Sequence, residues 1–211
     1  MGATISQADV ATRAKDQLLL RGVFFISGFA AILYQLVWQR TLFALIGINI
    51  EAVTLVVTAF ILGLGLGSLV GGRLSHGNPR GLVLRFAVVE LAIGIYGLLS
   101  LRLLHTVGAW TLGLSPATTA FVTLVAVLPP TMAMGATLPI LVAYYVRRFG
   151  AVGTAVAGLY FTNTLGSALA AFAASFVVIR ALGLTQTVWL GAAGNFLVAT
   201  VALIRFSQEA E

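Results

Sequence analysis

The sequence predicts an all-α membrane protein with six transmembrane helices. Hydrophobic residues make up 60% of the 211 residues and charged residues only 9%, whereas about a quarter of the residues in a soluble domain are charged. Six separate apolar segments each approach or exceed the roughly 20 residues that a helix needs to cross a bilayer. Lysines and arginines lie mainly in the connections between these segments, as they do in polytopic membrane proteins.

The chain divides into three predicted parts. Residues 1–16 form a cytoplasmic tail or surface helix, residues 17–205 the six-helix transmembrane domain, and residues 206–211 a second cytoplasmic tail. The predicted spans are Leu18 to Gln39, Ala52 to Gly72, Gly81 to Leu104, Ala117 to Val146, Val152 to Ile179, and Thr187 to Ile204.

Charge placement predicts the orientation of the chain. Nine lysines and arginines lie on the side of the N-terminus, and three, Arg40, Arg102 and Arg180, lie on the opposite side. Positive residues accumulate on the cytoplasmic side of a membrane. We therefore expect a protein of the bacterial inner membrane with both termini in the cytoplasm.

Composition also excludes several kinds of site. The chain has no cysteine, only two histidines, and six carboxylates that lie mostly at segment ends, so we expect no thiolate chemistry and no metal cluster. The net charge of +6 is spread over the connections. This distribution is typical of the loops of a membrane protein, so we expect no nucleic-acid partner. We expect no cofactor and no catalytic residues.

The fourth span carries helix-breaking residues in the stretch Leu128 to Pro139. Proline lacks an amide hydrogen and its ring clashes with the preceding turn, and freed carbonyls in a membrane need partners such as hydroxyl groups. We therefore predict a kinked or broken helix that is surrounded by protein. The residues that define it are Pro129, Pro130, Gly135 and Pro139.

Small residues recur at every fourth position in the second and fifth spans. They include Gly63, Gly67 and Gly71 in one span and Gly158 and Gly166 in the other. Because small residues let membrane helices approach closely, we expect spans two and five to form a close pair at the centre, either for packing or as a sliding interface in a transporter.

A shift of 99 residues lays the first three spans on the last three, which predicts a 3+3 inverted repeat like half of a major facilitator fold.

Four polar residues within the spans are candidate ligand-binding residues. Glu90 lies deep in an apolar span, where it either lines a polar cavity or serves the fold as a protonated or paired group. Tyr34 and Gln35 either anchor the first span at the interface or line a cavity. Asn163 is expected to bond across a helix interface, where it either stabilises packing or contacts a ligand.

Five motifs are distributed across almost the whole chain. They are SGFAAILYQLVWQR at 27–40, ILGLGLGSLVGGRL at 61–74, ELAIGIYGLLS at 90–100, LPPTMAMGATLP at 128–139 and GLYFTNTLGSALAA at 158–171. Together, and in this order, they resemble the membrane domain of bacterial spermidine synthase-like integral membrane proteins.

The resemblance implies that such a membrane domain commonly precedes a cytoplasmic domain similar to an aminopropyltransferase. This sequence ends at Glu211 and contains neither a glycine-rich turn after a strand nor an acidic pair. We therefore expect no synthase activity from these residues.

Two functions remain open on the sequence alone. The preferred expectation is a non-catalytic accessory or scaffold subunit that packs against other membrane proteins, forms a homodimer or recruits a separate synthase-like chain. The alternative is a transport or ligand-binding module for a polyamine-like cation, with Glu90, Tyr34 and Asn163 as its polar lining.

Overall fold

The computed structural model describes residues 7–46 and 49–206, which are helical apart from short turns. The predicted ends of the tails, residues 1–6 and 207–211, lie outside the described residues. Within the described ranges, five helices are long and apolar enough to cross a membrane: α1 Gln7–Ile46, α2 Asn49–Leu74, α3 Pro79–Trp110, α4 Pro116–Phe149 and α5 Val152–Phe206.

The all-α prediction is confirmed, but the predicted count of six transmembrane helices is wrong. No loop separates the last two predicted spans, because α5 runs for 55 residues with a helical backbone on both sides of a kink at Gly183, and it includes two π-helical turns, Ala174–Val178 and Ala202–Phe206. The predicted 3+3 inverted repeat and its similarity to half of a major facilitator fold depend on a count of six helices, so they are wrong for the same reason.

Helix α5 is folded back on itself at Gly183, whose φ of 76° and ψ of 176° are not helical. If α5 were straight, Asn163 and Asn195 would be about 48 Å apart. Instead, Asn163 bonds the backbone of Phe24 and Asn195 bonds the side chain of Tyr34, both on α1. The first arm of α5, residues 152–182, and the second arm, residues 184–206, therefore both pack against α1.

Local sequence signals set the helix ends. The side chain of Asn78 accepts a hydrogen bond from the amide of Gly81 at 2.9 Å, and Pro79 occupies the first turn of α3. The hydroxyl of Ser115 caps α4 in the same way. Gly150 ends α4 with a left-handed φ of 82°, a conformation that glycine adopts at little cost.

Two helix pairs are in close backbone contact. Gly67 of α2 leaves so little room that a Cβ there would overlap the carbonyl of Met132 in α4, and Gly63 and Gly71 face α4 as well. Gly166 of α5 lies equally close to the carbonyl of Phe25 in α1. The expectation that spans two and five pack together is therefore wrong, because each places its glycines against a different neighbour.

The fourth helix is not broken. Helix α4 is continuous for 34 residues with Pro129, Pro130 and Pro139 inside it. Because Pro130 has no amide hydrogen, the carbonyl of Ala126 loses its helical donor, and the hydroxyl of Tyr96 in α3 donates to that carbonyl instead. A neighbouring helix thus satisfies the freed group and the backbone keeps its helical path.

Thr131 adds a second side-chain contact to this region. Its buried hydroxyl lies 2.8 Å from the carbonyl of Leu128 and 3.1 Å from the carbonyl of Ala59 in α2. Gly135, one turn further along, approaches the backbone of Leu64 in α2. Helix α4 is therefore continuous where a break was predicted, and it packs between α2 and α3.

Ionic contacts join α1, α4 and α5 at one end of the bundle. Asp16, which is only 2% exposed, lies 3.5 Å from a guanidinium nitrogen of Arg205 and 4.0 Å from one of Arg148. The start of α1 and the end of α5 therefore lie at the same end of the molecule.

Replacing Gly67 with leucine should destabilise the fold, because the side chain would have to displace the α4 backbone at Met132. Overpacking of this kind costs about 1–3 kcal/mol or more. Gly65→Leu is the matched control, since a Cβ at Gly65 meets nothing within 4 Å. Thermal unfolding in detergent should show a lower midpoint for Gly67→Leu alone; equal midpoints for the two variants would contradict the α2–α4 contact.

Candidate functional site

A cavity of about 380 Å³ lies between α1, α2, α4 and α5. This volume falls in the range of about 300–1,000 Å³ that is usual for small-molecule sites. Its wall is mostly apolar, with Phe24, Ile32, Phe60 and Met134 among the lining residues. Its polar lining consists of Ser27, Gln35, Ser68, Thr137, Tyr160, Asn163, Ser167 and Asn195.

Behind this wall, the fully buried carboxylate of Glu90 is held by two of the lining residues. The hydroxyl of Ser27 in α1 donates to one carboxylate oxygen at 2.6 Å, and the side-chain amide of Asn195 in α5 donates to the other at 2.7 Å. Asn195 also accepts a hydrogen bond from the hydroxyl of Tyr34 at 2.9 Å. These four side chains, Ser27, Glu90, Asn195 and Tyr34, form a connected network that we call the Glu90 network.

The packing around Tyr34 shows how the network is held in place. Gly97 of α3 and Gly191 of α5 leave the space that the Tyr34 ring fills. The ring stacks on Trp38 at a centroid distance of 5.7 Å, and Trp38 also contacts Phe60 on the cavity wall. The phenol is therefore fixed with its hydroxyl directed at Asn195.

Glu90 has hydrogen-bond donors but no ion-pair partner among the residues that the structure describes. A charged group in an apolar interior costs several kcal/mol unless another charge balances it. Ser27 and Asn195 reduce that cost through hydrogen bonds but carry no charge. The ionised form of Glu90 would therefore need a positive charge from outside the described residues.

The structure places the four predicted ligand-binding residues around this one region. Gln35 and Asn163 line the cavity directly, and Asn163 also donates to the carbonyl of Phe24 at 3.1 Å. Glu90 and Tyr34 lie behind the lining, within the network. Of the residues predicted to break α4, Gly135 lines the cavity.

Sequence reasoning missed Ser27 and Asn195. Ser27 opens one of the motifs that carry the family resemblance, yet it received no role. Asn195 is an isolated amide in the apolar stretch after Trp189, which was the available signal, since an amide in an apolar segment needs partners. Its contact with Glu90, 105 positions earlier in the chain, is not visible in any local pattern.

A second cavity of about 540 Å³ lies at the end of the bundle where the C-termini of α1 and α3 meet the N-termini of α2 and α4. Glu51 is its one charged lining residue and is exposed. The hydroxyls of Thr54 and Thr111 in its wall bond to carbonyls of their own helices at 2.8 and 2.9 Å. With its carboxylate in solvent and these hydroxyls engaged, this cavity is a weaker candidate than the one beside Glu90.

Two curated proteins of Streptomyces coelicolor are similar to the sequence. Polyamine aminopropyltransferase 1 is 30% identical over 161 residues, which are 76% of this chain and 28% of that protein. Polyamine aminopropyltransferase 2 is 31% identical over 198 residues, which are 91% of this chain and 35% of that protein. No protein-family model matches the sequence, and no solved structure does.

The similarity confirms the coarser part of the expected resemblance. The chain has weak homology over most of its length to polyamine aminopropyltransferases, which are enzymes by name. It spans only about a third of the length of these curated relatives.

Replacing Asn195 with leucine should destabilise the protein by at least about 2 kcal/mol, because it leaves the Tyr34 hydroxyl and one Glu90 oxygen buried without partners. Adding Tyr34→Phe to this variant should restore part of the loss, since one of the two orphaned groups is then removed. A double-mutant cycle measured by thermal unfolding tests this coupling. Strictly additive losses would show that the network does not act as a unit.

Proposed function

We propose that the chain forms a membrane-embedded module that binds an organic amine cation in the cavity beside Glu90. The observation that carries this proposal is a fully buried carboxylate held by two residues of the cavity wall, Ser27 and Asn195. An ammonium group in the cavity would supply the positive charge that the described residues do not provide. Midplane sites between helices are the usual arrangement in membrane transporters.

The names of the relatives support an amine as the ligand class. Both are named polyamine aminopropyltransferases, and polyamines are alkyl chains that carry ammonium groups. The apolar and polar parts of the cavity wall fit the two chemical parts of such a molecule. The polyamine-like cation expected from sequence therefore belongs to the proposed class, which also includes simpler amines.

The accessory or scaffold role is the second candidate. Its support is the exposed apolar surface of α2 and α5, which includes Ile61, Leu69, Phe161 and Phe172 and would fit another membrane subunit, a second copy or a membrane-bound part of a synthase-like chain. The same surface also suits contact with lipid, so it favours a partner less specifically than the cavity favours a ligand. We therefore reverse the preference drawn from the sequence.

We further propose a location in the bacterial inner membrane with both termini in the cytoplasm. The nine positive residues on the side of the termini support this orientation, as does the contact between Asp16 and Arg205, which puts the first and last helical segments at one end. Binding, not catalysis, is the role that we propose for this segment, because the Glu90 network contains a carboxylate, an amide and two hydroxyls but no histidine, lysine or cysteine.

Replacing Glu90 with glutamine should remove amine binding while preserving the fold. The new amide can donate to Asn195 once that side chain rotates by half a turn, and the Tyr34 hydroxyl can then accept from Asn195, so every group keeps a partner. Affinity for whichever of octylamine, putrescine and spermidine the native protein binds should fall at least about ten-fold.

The measurement is calorimetric titration of the protein in lipid nanodiscs, and Glu51→Gln is the matched control because Glu51 is exposed and lies outside the cavity. Native affinity retained by Glu90→Gln would contradict the proposed site. A native protein that binds none of the three amines, and that purifies in a defined complex with another membrane protein, would favour the accessory role.

A further inference from the structure

The cavity opens sideways, between α2 and the first arm of α5. Its rim includes Ile61 and Leu64 of α2, which are 69% and 43% exposed, and Tyr160 of α5, which is 61% exposed. Each of these residues lies at least two helical turns from the end of its helix. In a membrane, such an opening faces the hydrocarbon layer instead of the water on either side.

The opening follows from the way the helices are paired. Gly67 holds α2 against α4, and Gly166 holds α5 against α1. The pairing leaves α2 and α5 on either side of the gap without extended contact between them. The lateral mouth is therefore part of the packing arrangement of the bundle.

No charged side chain lines the cavity, and the carboxylate of Glu90 lies directly behind its wall. The lining residues include no Asp, Glu, Lys, Arg or His, and Glu90 lies directly behind two of them. One ammonium group would balance Glu90. A second ammonium group in the same cavity would be buried without a counter-charge, which is strongly unfavourable in an apolar environment.

Polar and apolar lining residues are also unevenly distributed. Ser27, Gln35, Asn163 and Asn195 come from α1 and α5, whereas α2 and α4 contribute mainly apolar residues, among them Val57, Phe60, Met134 and Leu138. A bound molecule would place a polar head toward α1 and α5 and an alkyl chain toward α2 and α4.

We infer that the ligand is an amphiphilic amine with one ammonium group and an alkyl chain, and that it enters the cavity from within the bilayer. This inference rests on the proposed function and narrows its ligand class. It disfavours putrescine and spermidine, because these molecules carry additional ammonium groups and partition poorly into hydrocarbon. The ammonium head lies at Ser27 and Asn195, next to Glu90, and the chain extends along the apolar residues of α2 and α4 toward the mouth between α2 and α5.

The test compares ligands that differ in one feature at a time. Octylamine, the diamine with the same eight-carbon chain, spermidine and octanol are titrated into the protein in phosphatidylcholine nanodiscs, and empty nanodiscs correct for partitioning into lipid. We expect octylamine to bind about ten-fold or more tightly than the diamine, since the second ammonium group would be buried unpaired. Octanol should bind more weakly than octylamine because it carries no charge.

The possible failures separate the two proposals. If the diamine or spermidine binds as tightly as octylamine or more tightly, the inference is overturned while the proposed amine site stands. If no amine binds, or if octanol binds as tightly as octylamine, the proposed function fails and the inference fails with it.

Variants at the mouth test the route of entry. Ile61→Trp should narrow the opening and slow octylamine association about ten-fold, whereas Leu62→Trp is the matched control, because Leu62 is exposed on the same helix but does not line the cavity. Tyr160→Ala should widen the mouth and speed both association and dissociation of octylamine. This variant still tests the route of entry if Ile61→Trp folds poorly. Rates unchanged in both Ile61→Trp and Tyr160→Ala would overturn lateral entry.

Discussion

Close backbone contact at glycine positions determines how these helices are arranged. Helices in an apolar medium gain little from burying hydrophobic surface against one another, so their association depends on van der Waals contact at short range. Gly67 provides that contact between α2 and α4, and Gly166 provides it between α5 and α1. Since each of the two flanking helices is bound to a different partner, the space between them stays open as the cavity.

The Glu90 network gives the cavity its chemical character. The carboxylate comes from α3, its donors come from α1 and α5, and Tyr34 completes the chain of hydrogen bonds. Asn195 is the centre of this arrangement because its amide both donates to Glu90 and accepts from Tyr34. A residue with only a donor or only an acceptor at this position would leave one neighbour unsatisfied, which is costly for a buried group.

Properties that depend on local composition were predictable from the sequence. The helical fold follows from long apolar segments, Glu90 stood out as a carboxylate within one of them, and the freed carbonyl beside Pro130 was expected to need an outside donor. The donor itself, the hydroxyl of Tyr96, was not predicted, because the sequence does not show which helix lies opposite. The same limit explains the wrong pairing of the two glycine-rich spans, since a small-residue face fits several partners.

Two further features depend on long-range geometry. The contact of Asn195 with Glu90 joins positions far apart in the chain, and no periodic pattern connects them. The helix count was wrong because the sequence analysis divided the chain wherever an apolar segment ended in polar residues. Around Gly183 the chain has polar residues, but the backbone is helical on both sides of that one non-helical residue.

The reversal at Gly183 has a consequence for how the protein would be inserted into a membrane. A loop of many residues would let the two arms of α5 enter the bilayer one after the other, but a single non-helical residue is too short a connection for that. In the orientation that we propose, the arms would enter together as a hairpin, and Arg180, three residues before Gly183, would be translocated at its tip. Passage of such a charge through the bilayer centre would cost about 2.5–3.5 kcal/mol on insertion scales, and burial of the apolar residues of both arms in the bilayer would offset that cost.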